Sequence, residues 1–143
     1  MKIAISATAQ ELTSELDPRF GRCAYFTIVE TDGMNCETIP NEGASASGGA
    51  GIQSAQLLAS KNVEAVITGN CGPNAASALS AAGINLYTGQ FGTVADALDR
   101  FKNGELVPAK GPNVGDHYGS GGGGGRGMGR GMGMGKGGGR GRR

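Results

Sequence analysis

The sequence predicts a three-layer α/β domain in which a mixed five-stranded sheet is covered by helices on both faces. The first observation behind this prediction is the order of the elements, β-β-β-α-β-α-β-α. The second is that the strand-like runs of the first half are joined by turns, whereas those of the second half alternate with helical stretches. Right-handed crossovers then make the first, fourth and fifth strands parallel, with the hairpin strands outside them.

The first half of the chain predicts three strands. Residues 2–8 (KIAISAT) form an apolar alternating run, and the polar stretch 9–22, broken by proline and glycine, predicts a long loop. Residues 24–31 (AYFTIVET) are rich in β-branched and aromatic side chains, which favour strands. The Asp-Gly pair at 32–33 is a hairpin signal, so residues 35–39 are predicted to return as a shorter strand.

The second half predicts three helices and two strands. Residues 40–51 are small and flexible, Pro73 suits a first helical turn, Gly83 suits a helix stop, and Thr93 is the expected N-cap of the last helix. The elements are a helix over 52–62, a strand over 63–68, a helix over 72–83, a strand over 84–88 and a helix over 93–104. The first helix places four residues on one stripe: Ile52, Ala55, Leu58 and Ala59.

The composition divides the chain into a domain over residues 1–107, a linker over 108–118 and a tail over 119–143. The tail holds fifteen of the 29 glycines and six of the 13 Lys and Arg residues, with no acid, and is predicted to be disordered. Residues 1–116 hold seven basic and all twelve acidic residues, a net charge of −5 against +6 for the tail. Such an asymmetry is typical of a tail that binds nucleic acid, an acidic partner or the chain's own acidic body.

The cysteines and the N-terminal stretch indicate a cytoplasmic protein. Three widely spaced cysteines, Cys23, Cys36 and Cys71, do not form a disulfide framework. The N-terminal apolar run is too short for a signal peptide, and no stretch approaches a membrane span. We therefore expect free thiols and no membrane partner.

Cys71 lies in VITGNCGPNAA (66–76), where a predicted strand hands over to a helix. Ligands of open α/β sheets bind beyond the carboxyl ends of the parallel strands. Three loops are expected to meet there: those after the first, fourth and fifth strands. A helix N-terminus lowers the pKa of a nearby thiol, and the flanking Asn70 and Gly72 argue against a packed core position, although most free cysteines are buried small apolar residues.

The role of Cys71 is then either nucleophile or ligand. A nucleophilic thiol needs a base to deprotonate it, and the only histidine, His117, lies in the linker. A soft metal or a metal–sulfur cluster needs only the thiolate and a pocket. The residues therefore favour a ligand over a catalytic thiol, and no catalytic residue is predicted.

The run GASASGGAG (43–51) precedes the first helix and includes Gly48 and Gly49. It lacks the Lys and the Ser or Thr of a phosphate-binding P-loop. Its backbone N–H groups can still cup an anion at a helix start, or the run is a plain flexible loop. An anionic metal–sulfur cluster can use this loop and Cys71 together.

The stretch DPRFGRC (17–23) brings two arginines and a cysteine before the second strand. Arg19 and Arg22 can pair with an anionic ligand or tie the loop to the acidic body, and for Arg22 the structural role is favoured. Cys23 can face the same cleft as Cys71. Cys36 lies on an expected edge strand and is taken as structural.

These segments together resemble the dinitrogenase iron-molybdenum cofactor biosynthesis family, including its orange-protein-like members. The resemblance covers residues 1–107 and rests on DPRFGRCAYF, VEAVITGNCGPNAASALSAAGINLYTG and the TVADALDRFKNGEL helix. It implies a ribonuclease-H-like fold and non-catalytic handling of metal–sulfur clusters. The loop that is His-rich in several members is GASASGGAG here, which shifts the ligand role onto Cys71.

The tail resembles the glycine-rich cationic tails of some archaeal members, one type of which is proposed to store iron and sulfur as an anionic thioferrate polymer. Its sparse cations can coat a polyanion, and Met128, Met132 and Met134 are soft donors. A disordered solubilising tail is the plain alternative. RNA contact is less favoured, because the tail lacks aromatic residues that stack on bases.

The sequence thus predicts a cytoplasmic, non-catalytic protein that binds an anionic iron–sulfur or iron/molybdenum–sulfur cluster for carriage, assembly or storage. The predicted metal ligands are Cys71 and Cys23, and the predicted cofactor-binding residues are Arg19, Asn70, Gly72, Gly48 and Gly49. The expected partners are proteins that donate or accept the cluster, and a second copy that shares it. The alternative function is nucleic-acid or acidic-partner binding through the tail, with the domain as a scaffold.

Overall fold

The computed structural model describes residues 1–33, 35–45, 49–109 and 111–112. Within them the elements follow the predicted order, with a 3₁₀ helix added. They are β1 (Lys2–Ala7), β2 (Tyr25–Glu30), β3 (Asn35–Pro40), the 3₁₀ helix (Glu42–Ser45), α1 (Ala50–Ser60), β4 (Ala65–Ile67), α2 (Pro73–Ala81), β5 (Asn85–Tyr87) and α3 (Val94–Lys102). The predicted tail over 119–143 lies outside the described residues.

The five strands form one mixed sheet in the order β3-β2-β1-β4-β5. β1 is antiparallel to β2 and parallel to β4, and β5 is parallel to β4. The aligned residues Ala4, Val66 and Leu86 mark the register across the three parallel strands. The prediction of a parallel centre flanked by a hairpin is therefore confirmed.

Helices cover both faces of the sheet, as predicted. On one face Ala4, Phe26 and Val66 belong to the apolar cluster that contains the buried residues of α1 and α2. On the other face Ile3 and Ile5 belong to the cluster that contains the buried residues of α3. Neighbouring residues of β1 belong to the clusters on opposite faces of the sheet, because side chains alternate across a strand.

The predicted apolar stripe of α1 is only half right. Ala55 and Leu58 are buried, but Ile52 and Ala59 are exposed. Ala50 and Ser54 take the other buried positions. The reason is a close approach to α2, which only small residues permit: a Cβ added to Gly51 would lie 2.7 Å from the Cβ of Ala75.

The predicted helix boundary signals are confirmed. Thr93 accepts a hydrogen bond from the Asp96 amide, and the Asp96 carboxylate accepts one from the Thr93 amide, forming a capping box on α3. Pro73 lies at the first turn of α2. Gly83 follows α2 with a φ of 76°, a left-handed conformation that glycine adopts without steric cost.

The residues after α3 continue along the sheet edge. The Ala109 amide donates to the Leu86 carbonyl at 2.6 Å, so the first residues of the predicted linker lie beside β5. A groove of about 230 Å³ lies between this segment and the end of α2. Its lining includes Asn85 and Leu86 of β5.

Candidate functional site

The three loops predicted to meet do meet at the carboxyl edge of the parallel strands. The Asn70 amide donates to the Pro18 carbonyl at 2.7 Å, and the Phe20 amide donates to the Asn70 carbonyl at 3.2 Å. The Gly89 amide, after β5, donates to the Gly69 carbonyl at 2.8 Å. Backbone hydrogen bonds therefore join the loops after β1, β4 and β5 directly.

Two glycines allow the loop after β1 to approach its neighbours so closely. A Cβ on Gly69 would lie 2.8 Å from Pro18 Cα, and a Cβ on Gly21 would lie 2.7 Å from the Gly51 amide nitrogen. Neither separation is compatible with a real side chain. The loop after β1 is thus pressed against both the loop after β4 and the first turn of α1.

The starts of α1 and α2 lie side by side at this edge. Gly49 precedes α1 with a φ of 72°, and Gly72 precedes α2 in an extended conformation. Glycine has no side chain to cap the first-turn amides, which suits those amides to an anion. Gly49 and Gly72 therefore lie in the region predicted for them, while Gly48 lies outside the described residues.

Arg19 lies on the loop after β1 and forms an ion pair with Asp17. Its Nε donates to Asp17 Oδ1 at 3.3 Å and its Nη2 donates to Asp17 Oδ2 at 3.4 Å. The arginine side chain is 46% exposed, whereas the aspartate side chain is 4% exposed. The carboxylate raises the pKa of Arg19, so the guanidinium is a fixed positive charge at the surface.

A series of buried hydrogen bonds holds the Asp17 backbone in place. The Ser6 hydroxyl, at the end of β1, donates to the Asp17 carbonyl at 2.6 Å and lies 2.8 Å from the Thr68 hydroxyl. The Asp17 amide donates back to the Ser6 carbonyl at 2.9 Å. Both hydroxyl-bearing residues are fully buried, so the loop after β1 is attached to β1 and to the end of β4.

Cys71 is packed in the core, and two expectations about it are wrong. It belongs to the apolar cluster beneath α1 and α2 and is 1% exposed, although its flanks predicted an open position. Burial raises the pKa of the Cys71 thiol to about 12, whereas the helix start predicted a lowered value. The physical reason is that desolvation of a thiolate outweighs the helix dipole, since Cys71 precedes the N-cap Gly72 and lies outside the helical turn.

Cys23 is fully buried and participates in a hydrogen-bond network. Its Sγ donates to the Phe20 carbonyl at 3.3 Å, and Asn41 Nδ2 lies 3.6 Å from that sulfur. Burial, with a smaller contribution from the charge of Asp17, raises the pKa of the Cys23 thiol. Cys23 and Cys71 belong to the same apolar cluster, but their predicted metal-ligand role stays a prediction.

Asn41 is the centre of that network, and sequence reasoning missed it. Its Nδ2 donates to the Cys23 carbonyl at 3.0 Å, and its Oδ1 accepts from the Ser54 hydroxyl at 2.9 Å. It therefore joins the loop before β2 to α1. A lone asparagine after a strand gives no sequence signal for this role, because its partners are 13 and 18 residues away.

Arg22 makes a contact within the protein, as favoured for it, and Cys36 lies on an edge strand, as predicted. Arg22 Nη1 donates to the Ala44 carbonyl at 2.8 Å, which ties the loop before β2 to the 3₁₀ helix. Cys36 is exposed on β3, an edge strand of the sheet. Among the described residues, no three His, Cys, Asp or Glu side chains are grouped so that they could hold a metal ion.

Comparison with known proteins identifies the family. The family model described as dinitrogenase iron-molybdenum cofactor matches residues 1–104. The chain belongs to this family. The match covers every helix and strand of the sheet domain, through α3.

Two solved structures and one further protein are similar to this chain. The apo form of the orange protein from Desulfovibrio gigas has 40% identity and a TM-score of 0.77, covering 78% of this chain and 95% of that one. A proposed NifB protein from Thermotoga has 39% identity and a TM-score of 0.67, covering 75% and 91%. An uncharacterized protein of Methanocaldococcus jannaschii is 35% identical over 109 residues, 74% of this chain and 89% of the relative.

None of the helices in the described ranges has the length and hydropathy needed to cross a membrane.

Proposed function

We propose that this chain is a non-catalytic binding protein for an anionic metal–sulfur cluster, acting in carriage, assembly or storage. The proposed cargo is an iron–sulfur or iron/molybdenum–sulfur species. Family membership supports the cargo class, and the apo form of a 40% identical relative supports a protein that exists without its ligand. In this proposal the cargo binds at the carboxyl edge of β1, β4 and β5.

The observation that carries this proposal is the junction of the loops after β1 and β4. Arg19 and Asn70 form a parallel backbone bridge, so the backbone of Arg19, whose side chain is half-exposed, is paired with the residue that precedes Cys71. The starts of α1 and α2 add backbone amides at the same edge. Guanidinium and amide N–H groups are donors, and they fit an anion.

Cys71 is the proposed thiolate ligand of that cargo. Because its side chain is 1% exposed and burial raises the pKa of its thiol to about 12, coordination requires both loss of the proton and outward movement of the loop. Metal binding supplies the driving force, since a bound thiol is deprotonated. In this proposal the cargo is first held by hydrogen bonds and charge, and the thiolate is recruited afterwards.

Anaerobic reconstitution tests the proposal. We expect the full chain to become coloured and to retain metal after loading with iron and sulfide, or with tetrathiomolybdate, followed by desalting. Cys71→Ser should lose most of the retained metal, whereas Cys36→Ser, which changes an exposed thiol on β3, should retain it. A wild-type chain that emerges colourless and metal-free contradicts the proposed function, and full loading of Cys71→Ser contradicts only the ligand assignment.

The same assay tests the second predicted ligand and the predicted sharing of a cluster. Cys23→Ser should lower the metal content if Cys23 is a ligand, and its melting temperature must be measured because Cys23 lies in a buried network. When Cys71 is the single thiolate ligand of each chain, sharing of one cluster by two chains is expected. Light scattering with metal analysis should then show a dimer in the loaded sample.

A second candidate function rests on the charge split between residues 1–116 and the tail. Six Lys and Arg residues among glycines can contact RNA or an acidic protein through their charge. In that case the domain serves as a scaffold, and Cys71→Ser leaves the interaction unchanged.

A further inference from the structure

We infer that Asp17 is a positioning residue, which directs the Arg19 guanidinium toward the anionic cargo. This inference rests on the proposed function and assigns a role within the same site. Asp17 does not contact the cargo in this scheme. It acts through Arg19, and the geometry of the ion pair indicates how.

The ion pair occupies one side of the guanidinium and leaves the other available. Nε and Nη2 of Arg19 both donate to the Asp17 carboxylate. A guanidinium has five N–H groups in a planar fork, so the donors on the Nη1 side point away from the carboxylate. With the arginine side chain 46% exposed, these donors reach the surface of the sheet edge in a fixed orientation.

Asp17 is itself fixed before it orients Arg19. Its Oδ1 accepts from the Arg19 backbone amide at 3.0 Å, which closes a turn between the two residues. Its backbone is held by Ser6 in both directions, through the Asp17 amide at 2.9 Å and the Asp17 carbonyl at 2.6 Å. The arginine thus rests on a buried carboxylate that is anchored to the central strand of the sheet.

Electrostatic attraction of an anionic cargo gives no reason for a carboxylate at this position. A buried carboxylate loses hydration, and its negative charge repels an anionic cargo. The compensating gain is orientation, because a flexible arginine held by two hydrogen bonds loses less rotamer freedom when cargo binds. Positioning and simple charge therefore predict opposite effects when the carboxylate is neutralised.

Titration of the full chain with tetrathiomolybdate, with visible absorption as the readout, distinguishes positioning from simple charge. Asp17→Asn removes a negative charge from the site, so simple charge predicts tighter binding. Positioning predicts binding weaker by about 10-fold, the size of effect typical of residues that orient a ligand-binding group. Asp99→Asn, the same charge change at an exposed position on α3, is the matched control and should leave the affinity unchanged.

A double-mutant cycle shows whether Asp17 acts through Arg19. Once Arg19→Gln has removed the guanidinium, adding Asp17→Asn should cause no further loss of affinity. An equal loss in both backgrounds would mean an independent structural effect and would overturn the inference. Affinity of Asp17→Asn equal to or above that of the wild type overturns it as well, while leaving the proposed function intact.

If Asp17→Asn does not fold, the Arg19→Lys variant tests the same inference. It retains the positive charge at an exposed position but cannot make the two-point contact with the carboxylate. Positioning predicts that Arg19→Lys binds tetrathiomolybdate about as weakly as Arg19→Gln, and wild-type affinity for Arg19→Lys overturns the inference. Failure of the wild-type chain to bind tetrathiomolybdate overturns the inference, and it overturns the proposed function as well only when the chain also retains no metal after loading with iron and sulfide.

Discussion

The three cysteines occupy two kinds of environment, and this difference determines their chemistry. Cys23 and Cys71 lie in the apolar cluster beneath α1 and α2, whereas Cys36 is exposed on β3. Thiolate, the reactive and metal-binding form, is disfavoured by burial. The two buried thiols are therefore protonated at neutral pH, and protonation of Cys71 is compatible with its weak Sγ contact to the Gly72 carbonyl at 3.7 Å.

The raised pKa of Cys71 predicts loss of stability in alkaline solution. Between the usual thiol pKa of 9.0 and the folded value of about 12, the unfolded chain is deprotonated while the native chain keeps its proton. The free energy of unfolding should therefore fall as pH rises through this window, by about 1.4 kcal/mol per pH unit for one thiol. Urea unfolding measured at intervals from pH 8 to pH 11 checks the slope.

The Cys71→Ala variant isolates the contribution of this thiol. It should be less stable than the wild type at pH 8, because packing is lost, yet its stability should fall less steeply above pH 9. Cys36→Ala, which removes an exposed thiol, should leave the slope as in the wild type. Identical slopes for the wild type and Cys71→Ala would contradict a buried, protonated Cys71.

At the scale of elements, the approach of α1 to α2 defines the candidate site. The two helix starts are adjacent because Gly51 lies against Ala75, with room for no side chain between them. The same first turn of α1 contacts Gly21 of the loop after β1. Small residues at three positions thus bring two helix N-termini and one loop together.

Gly51→Ala should therefore destabilise the domain, although alanine favours helices more than glycine does. The added Cβ would lie 2.7 Å from the Cβ of Ala75, and overpacking of this kind costs about 1–3 kcal/mol. We expect a melting temperature lower by several degrees, measured by circular dichroism. Cluster loading should fall with it, because the helix starts move apart.

The double variant Gly51→Ala/Ala75→Gly tests the contact itself. Removing the opposing methyl group should restore much of the stability lost in Gly51→Ala. Gly49→Ala is the control, since it has open space around it but a φ of 72°, and Ala75→Gly should not rescue it. A fully stable Gly51→Ala variant would show that the helices are not in close contact.

At the scale of the whole molecule, charge separates the sheet domain from the tail. The net charge is −5 over residues 1–116 and +6 over residues 119–143. α3 ends at Lys102, and the segment that follows it is joined to β5 through Ala109. The described elements and the family match both lie N-terminal to the tail.

A chain shortened to residues 1–112 should consequently fold with an unchanged melting temperature. We expect it to lose any salt-sensitive binding to RNA or heparin, because all six basic residues of the tail are removed. Loading with iron and sulfide should persist in the shortened chain if the cargo site is at the sheet edge. Loss of loading with an unchanged melting temperature would instead assign the cargo to the tail.

Element order and sheet topology could be predicted from the sequence. Hydrophobic periodicity, the Asp-Gly turn and the helix boundary residues Pro73, Gly83 and Thr93 are local signals, and crossover handedness then orders the strands. The meeting of the loops after β1, β4 and β5 follows from that topology. The exposed side of α1 did not follow, because its orientation depends on the contact between Gly51 and Ala75, 24 positions apart.

The sequence by itself therefore determined the architecture, the segments that resemble the family, and the sheet edge at which Arg19, Asn70 and Cys71 are found. Only the tertiary structure decided the environment of each side chain there. Cys71 follows a strand and precedes a helix, which suggested an exposed thiolate, but its neighbours in space are apolar and burial raises the pKa of its thiol. The role proposed for the Asp17 carboxylate likewise depends on Ser6 and Arg19, because desolvation and hydrogen bonding depend on spatial neighbours.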